Sequence, residues 1–91
     1  MKRGWGPTPQ IVMTRGAQAV FLKGDDPRPY LARHFNGDWG DVPEEDAKQN
    51  DQMKNEDGMI LSAYMTVPGD KIWIITDPGH EVTTILLPEE Y

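Results

Sequence analysis

The 91 residues of the chain are enough for one domain with one core, and a hydrophobic content of 37% argues against a chain that is disordered by composition. The absence of cysteine excludes disulfides, thiolate zinc sites and cysteine nucleophiles. A net charge of -6 disfavours direct binding to nucleic acid, which depends on lysine and arginine side chains that neutralise phosphates.

Targeting and membrane segments are not expected from the sequence. No apolar run approaches the roughly 20 residues of a membrane-spanning helix. Lys2 and Arg3 are followed by no apolar segment, which argues against a signal peptide. We therefore expect a cytoplasmic protein with no membrane partner.

The first elements are predicted from turn residues and helical spacing. Residues 1–10 contain two glycines and two prolines, which predicts a flexible arm or loop at the start of one domain spanning residues 1–91. The apolar run 11–13 is a candidate strand. Thr14 is a typical N-cap for a helix over residues 15–22, because apolar residues recur there at helical spacing.

A second short helix is predicted to end just before a loop rich in glycine. Asp26 followed by Pro27 has the pattern of an N-cap and a proline at the first helical position, and the helix then extends to about Phe35. Residues 36–41 combine two glycines and small polar residues around Trp39, which predicts a tight loop.

A third helix, over about residues 43–54, is predicted to be almost entirely polar. Asp41 and Glu44 have the spacing of a capping box at its start. Residues 41–57 hold seven acidic residues against two lysines, a net of -5, whereas residues 1–23 hold four basic residues and no acid. The acidic helix is either a solvated surface or a surface that engages a basic partner. The candidate partner-binding residues are Glu44, Glu45 and Asp51.

The last third of the chain has the pattern of a sheet. Three apolar segments, at about 59–66, 71–76 and 81–87, are separated by turns that contain Pro-Gly. Alternation places the side chains of Ile72, Ile74 and Thr76 on one face of the middle strand. We therefore predict an α+β fold, in which a three-stranded antiparallel meander packs against two or three short helices.

The candidate ligand site combines the end of the second helix with polar side chains of this sheet. His34 is the stronger of the two histidines, because it precedes the glycine loop and titrates near neutral pH. It is either a helix-terminal histidine favoured by the negative end of the helix dipole, or a general base or ligand contact. His80 lies in a turn and is expected to be solvated. Thr83 and Thr84 point to opposite faces, so only one of them can join the site. The predicted ligand-binding residues are His34, Asp38, Trp39, Ser62, Tyr64 and Thr84, with Thr76 nearby.

Motifs for cofactors and metals are absent from the sequence. There is no nucleotide-binding glycine loop, no nucleophile elbow and no histidine pair at helical spacing. Asp38 and Asp41 flank Trp39, but their spacing matches no calcium-binding loop. We therefore expect no cofactor and no metal.

Two blocks of the sequence resemble a known family. The stretch 33–41, with His34 before Gly37-Asp38-Trp39-Gly40, and the ending 74–91, with Thr83-Thr84-Ile-Leu-Leu-Pro-Glu-Glu-Tyr91, are similar to short, uncharacterised "plasmid-related" proteins of plasmids, phages and integrated elements. The likeness covers about residues 28–91. It implies an accessory role on a mobile element and implies no particular activity.

A weaker likeness is to small ribonuclease toxins of the barnase and RelE kind, which place short helices before an antiparallel sheet. In such an enzyme His34 would be the catalytic base, Arg33 or Lys71 would stabilise phosphate, and Thr84 or Thr83 would position it. The acidic composition is a departure from these enzymes, which are usually basic.

Three functional hypotheses follow from these observations. The first is a non-enzymatic binding protein of a phage or mobile element that antagonises a host defence system, either by acidic mimicry of nucleic acid or by sequestering a signalling nucleotide. Its partner is then a host defence protein or that nucleotide. The second is a ribonuclease that uses His34. The third is a structural or regulatory interaction module that pairs through its sheet edge, for example as a homo-oligomer.

Overall fold

The computed structural model of the chain describes residues 9–67 and 69–91. The described residues form helices α1 (Arg15–Leu22), α2 (Arg28–Phe35) and α3 (Glu44–Glu56) and strands β1 (Gln10–Met13), β2 (Ile60–Met65), β3 (Lys71–Thr76) and β4 (Val82–Leu86), followed by a 3-10 turn at Pro88–Glu90. The predicted α+β class is confirmed. Most of the predicted arm lies outside the described residues, as does Pro68 of the turn predicted between the first two strands of the meander.

The sheet differs from the predicted meander by one strand. β2, β3 and β4 pair antiparallel in chain order, as predicted, but β1 adds to the outer edge of β4 and runs parallel to it. The sheet is therefore four-stranded and mixed, and the prediction of a purely antiparallel three-stranded sheet is wrong in this respect. All three helices lie between β1 and β4 along the chain, and a parallel pair across such a connection leaves no local pattern in the sequence.

α1 begins at the predicted residue. Thr14 has extended backbone geometry, and its side-chain oxygen accepts a hydrogen bond from the backbone N–H of Ala17. The hydroxyl of Thr14 donates to Glu90, whose carboxylate also accepts from the backbone N–H of Gly16 at 3.0 Å. The end of the chain is thus attached to the start of α1. A Cβ at Gly16 would meet the ends of the Glu90 and Leu87 side chains, so a larger residue there would displace the Glu90 carboxylate from the start of α1.

The starts of α2 and α3 differ from the prediction. Asp26 accepts a hydrogen bond from the backbone N–H of Arg28, but the N-cap position of α2 is Pro27, one residue later than predicted. The predicted capping box of α3 is wrong, because its N-cap is Pro43 without a side-chain hydrogen bond. Asp41 instead donates its backbone N–H to the carbonyl of Ala63 in β2 at 2.7 Å. The glycine loop runs along the edge of β2 at this point.

The open edge of β2 is covered by two different partners. The backbone N–H and C=O of Leu61 both pair with the side-chain amide of Asn50, which projects from α3. Ala63 pairs with the loop, and Gly40 is required there because a Cβ would overlap the carbonyl oxygen of Ala63. These backbone groups of β2 are therefore hydrogen-bonded within the protein. Unpaired, they could pair with a strand of another chain.

The hydrophobic core lies on the face of the sheet that the helices cover. The predicted alternation of β3 is confirmed, since Ile72, Ile74 and Thr76 are all buried on this face. One cluster joins Ile72 and Ile74 to α1 and α2. A second cluster, centred on Trp39 and Ile60, joins the glycine loop and α3 to the sheet. The second cluster determines where the loop and the end of α2 sit, and hence where His34 points.

Candidate functional site

Four polar side chains meet in the interior between α2 and the sheet, and we refer to them as the polar cluster: His34, Ser62, Thr76 and Thr83. The Nδ1 atom of His34 lies 2.5 Å from the Ser62 hydroxyl, and its Nε2 atom lies 2.8 Å from the Thr76 hydroxyl. The Thr76 and Thr83 hydroxyls are 2.8 Å apart. None of the four residues exposes any surface to solvent. The cluster is thus a chain of hydrogen bonds whose members satisfy one another.

The electrostatics of the polar cluster keep His34 neutral. Burial lowers the pKa of His34 from 6.5 to about 3, and the nearby His80 lowers it further in the same direction. A neutral imidazole has one donor and one acceptor nitrogen, which matches the two hydroxyl groups it contacts. The arrangement joins α2 to β2 and β3 and presents no nitrogen to a substrate in solution. The predicted use of His34 as a general base is therefore not supported by its surroundings.

The other residues predicted for the ligand site surround the polar cluster. The indole ring of Trp39 lies edge-on to the His34 ring, with the centroids 5.8 Å apart, and its Nε1–H donates to the Asp51 carboxylate at 2.9 Å. The Tyr64 hydroxyl donates to the backbone carbonyl of Asp38 at 2.7 Å. Burial raises the pKa of Tyr64 to about 12, so its phenol remains protonated. These side chains are close together, as predicted, but they pack the loop against the sheet.

Asp38 and Arg33 form a pair at the surface beside this loop. The Arg33 Nε lies 2.8 Å from an Asp38 carboxylate oxygen, and its guanidinium carbon is 4.6 Å from the centre of the Tyr64 ring. The hydrogen bond from Arg33 lowers the pKa of Asp38. Both groups are partly exposed, so the pair contributes little to stability. The guanidinium is directed to Tyr64 and Asp38 rather than to a phosphate site on the polar cluster.

Three placements correct the sequence-based prediction of the site. Thr83, not Thr84, faces His34; Thr84 pairs with Ile75 on the opposite face of the sheet. Lys71 begins β3, five residues before Thr76 and on the other face. The groups proposed for a ribonuclease, His34 with Arg33 or Lys71 and Thr84, are therefore not assembled around one point.

The prediction of a solvated His80 is also wrong. Only 3% of this residue is exposed, and its Nε2 lies 2.8 Å from the carbonyl oxygen of Gly58. Its backbone has a φ of 59°, a left-handed conformation in which non-glycine residues are uncommon. The turn before β4 packs against the end of α3, because Gly79 also donates its N–H to the carbonyl of Asp57 at 2.8 Å. His80 thus fixes this contact and belongs to the interior.

Two polar residues of structural importance were not chosen for the site: Thr83, which was only the alternative to Thr84, and Asn50, which was not predicted at all. Thr83 could have been chosen over Thr84 by counting back across the predicted turn, since Thr76 and Thr83 face each other in the β3–β4 register. Asn50 offers no such signal. It is one polar residue in a polar helix, and its burial at 5% exposure depends on where α3 meets the edge of β2.

The exposed side of α3 carries the second candidate site, which we call the acidic face: Glu44, Glu45 and Glu56. Asn50 points toward the sheet, and helical periodicity places all three glutamates on the opposite half of the helix. All three are exposed, and none of their carboxylates forms an ion pair with a basic side chain of residues 9–67 or 69–91. Asp51, predicted to belong with them, is instead engaged with Trp39.

No helix in the described part of the chain has the length and apolar character needed to cross a membrane. Within the same residues, no three histidine, aspartate or glutamate side chains are grouped so that they could hold a metal ion. Comparison with protein-family models, with curated proteins and with solved structures found no match for this chain.

Proposed function

We propose that the chain is a non-enzymatic binding protein of a phage or mobile element, and that it antagonises a host defence system. In this proposal the acidic face occupies a basic, nucleic-acid-binding surface of a host defence protein. The mobile-element context comes from the resemblance of residues 28–91 to plasmid-related proteins. The mechanism comes from the surface of α3.

The observation that carries the proposal is the acidic face itself. Three carboxylates without ion pairs among the described residues project from one helix of 13 residues, which is about 20 Å long. The helix is held in place by Asn50 against the edge of β2 and by the contact of its end with the turn at His80. A helix that is already fixed loses little backbone entropy on binding, and complementary charge speeds association with a basic partner.

Sequestration of a signalling nucleotide receives less support than a protein partner. The residues expected to line a nucleotide site are mostly engaged within the protein. His34 and Ser62 are bonded to each other. Trp39 donates to Asp51, and Asp38 pairs with Arg33. A nucleotide could reach His34 or Ser62 only if α2 separated from the sheet, because neither residue has exposed surface. Separation of α2 from the sheet would also break the hydrogen bonds of the Ser62 and Thr76 hydroxyls, which adds to its free-energy cost.

The test is phage challenge of host cells that carry individual nucleic-acid-binding defence systems, with and without the expressed chain. We expect the chain to raise the efficiency of plaque formation against at least one such system. The triple variant Glu44→Lys, Glu45→Lys and Glu56→Lys should lose this effect. Asp51 is left unchanged, because its carboxylate accepts the hydrogen bond from Trp39 and its replacement would disturb the fold.

A matched control reverses the same amount of charge elsewhere. Asp77, Glu81 and Glu89 are exposed acidic residues outside α3, and the triple lysine variant at these positions should keep the activity. Equal loss in both variants would mean that net charge rather than the acidic face is responsible. Full activity of the α3 variant would refute the proposed mechanism. Binding to the purified effector should also weaken as salt is raised.

A further inference from the structure

The three asparagines of the chain occupy different surroundings. Asn36 is exposed and follows the last residue of α2, and its side-chain amide makes no hydrogen bond to any described residue. Asn50 is buried, and both atoms of its amide are bonded to Leu61. Asn55 is exposed but lies within α3 and is followed by Glu56. Only Asn36 is followed by glycine.

The Asn36-Gly37 pair combines the features that favour reaction of a side-chain amide with the next backbone nitrogen. Gly37 has no Cβ to hinder the approach, and its φ of 84° is a conformation that other residues rarely adopt. Its N–H donates to the carbonyl of His34 at 3.3 Å, which is longer than the usual distance of about 2.9–3.0 Å. The attacking nitrogen is thus only weakly held.

We propose that Asn36 is a site of spontaneous deamidation in the folded protein. The Gly37 backbone nitrogen gives up its proton to the solvent and attacks the side-chain Cγ of Asn36, and the side-chain nitrogen leaves as ammonia. The new N–Cγ bond closes a succinimide ring. Water then adds to one of the two ring carbonyls and breaks its C–N bond, which yields aspartate or isoaspartate. Water is the only co-reactant.

Either product alters the loop that covers the edge of β2. The new carboxylate lies at the C-terminal end of α2, where the helix dipole disfavours negative charge. Isoaspartate also lengthens the main chain by one carbon shortly before Asp38, whose carbonyl accepts the Tyr64 hydroxyl at 2.7 Å. We therefore expect the modified protein to unfold at a lower denaturant concentration than the unmodified protein.

Peptide mapping separates the three sites. Trypsin cleaves after lysine and arginine, which places Asn36, Asn50 and Asn55 in the separate peptides 34–48, 49–54 and 55–71. After incubation of the whole folded protein at neutral pH, peptide 34–48 should gain one dalton and elute as two isomers, one of them a substrate for an isoaspartate-specific methyltransferase. The mass of peptide 34–48 should increase at least about tenfold faster than that of peptide 55–71, where the Glu56 side chain hinders attack on Asn55.

The control variant is Asn36→Gln, whose longer side chain would have to close a larger and less favourable ring. This variant should show no gain in peptide 34–48, and its unfolding midpoint should not change on incubation, whereas that of the unmodified sequence should fall. Absence of the gain in the folded protein, or an equal gain at Asn55, would overturn the proposal. An unchanged midpoint in fully converted protein would overturn the effect on the loop.

Discussion

The polar cluster is buried and hydrogen-bonded within the protein, whereas the acidic face is exposed to solvent. His34 has a side chain associated with catalysis, but it is buried without any exposed surface and bonded to two hydroxyl groups. Glu44, Glu45 and Glu56 have side chains associated with solubility, but they project from a fixed helix and have no ion-pair partner among the described residues. The histidine thus suggested a functional role for the polar cluster, whereas the cluster stabilises the fold.

Burial decides what a polar group can do in a domain of this size. A group whose hydrogen bonds are all made internally contributes to stability and is costly to remove. A group left in solvent contributes little to stability, so its replacement tests function without disturbing the fold. The two regions should therefore respond in opposite ways to substitution.

The largest expected effect is from His34→Ala. The substitution leaves a cavity and removes the partner of the Ser62 and Thr76 hydroxyls, and we expect a loss of about 3 kcal/mol or more in the free energy of unfolding. Urea denaturation followed by circular dichroism measures it, with Glu45→Ala as the surface control. An unchanged midpoint for His34→Ala would mean that the polar cluster is not structural, which would remove the contrast.

The second effect is a dependence of stability on pH. Because the pKa of His34 is lowered from 6.5 to about 3, the unfolded chain binds a proton below pH 6.5 that the folded chain does not. The contribution of neutral His34 to the free energy of unfolding is complete above pH 6.5 and is lost progressively as the pH falls toward 3. At pH 5 the loss is about 2 kcal/mol.

Denaturation at several pH values tests this prediction. His34→Gln should have a smaller slope than the unmodified protein between pH 7 and pH 5, because glutamine does not titrate. Carboxyl groups with lowered pKa, such as Asp38, lose their contribution only at lower pH and do not confuse the comparison. Equal slopes in the two proteins would show that His34 is protonated without cost and is therefore not sealed from solvent.

An intermediate effect is expected from Asn50→Ala. The substitution removes both hydrogen bonds to the backbone of Leu61 at the edge of β2, and water can replace them only in part. We expect a loss of about 1–2 kcal/mol, against less than about 0.5 kcal/mol for Asn55→Ala in the same helix. Similar losses for the two alanine variants would indicate that α3 is not fixed to the sheet through Asn50.

The smallest effect on stability is expected at the acidic face. Glu45→Lys and Glu56→Lys together should change the free energy of unfolding by less than about 1 kcal/mol, most of it from the loss of a negative charge in the first turn of α3. Thermal unfolding of the double variant measures the change. A loss as large as that of His34→Ala would mean that the acidic face stabilises the fold and cannot serve as an independent binding surface.

Much of the fold could be predicted from local patterns. The helix over residues 15–22, its Thr14 cap and the antiparallel order of the last three strands are all as expected, because each depends on neighbours in the sequence. The partner of β1 could not be predicted in this way. Asp41 was assigned to the cap of α3 because its spacing fits, yet its backbone pairs with Ala63, a contact that exists only once the loop meets the sheet.

The candidate site was predicted in composition and misjudged in character. His34, Ser62 and Trp39 are neighbours, as predicted, although the alternation of the strands accounts only for the shared face of Ser62 and Tyr64. The burial of His34 and Ser62 was not predictable, because it depends on how closely α2 packs against the sheet. Thr84 was preferred to Thr83, although the register of β3 and β4 across the predicted turn would have distinguished the two threonines.

The class of the fold, most of the element bounds and the concentration of acidic residues in one helix could be predicted from the sequence. These properties depend on residues close together in the chain. Tertiary structure alone decided that β1 joins β4, that both histidines are interior and that Asp51 serves Trp39 while Glu45 and Glu56 face the solvent. Each of these depends on contacts between distant segments, whose surroundings set the exposure and pKa that a side chain has in the folded protein.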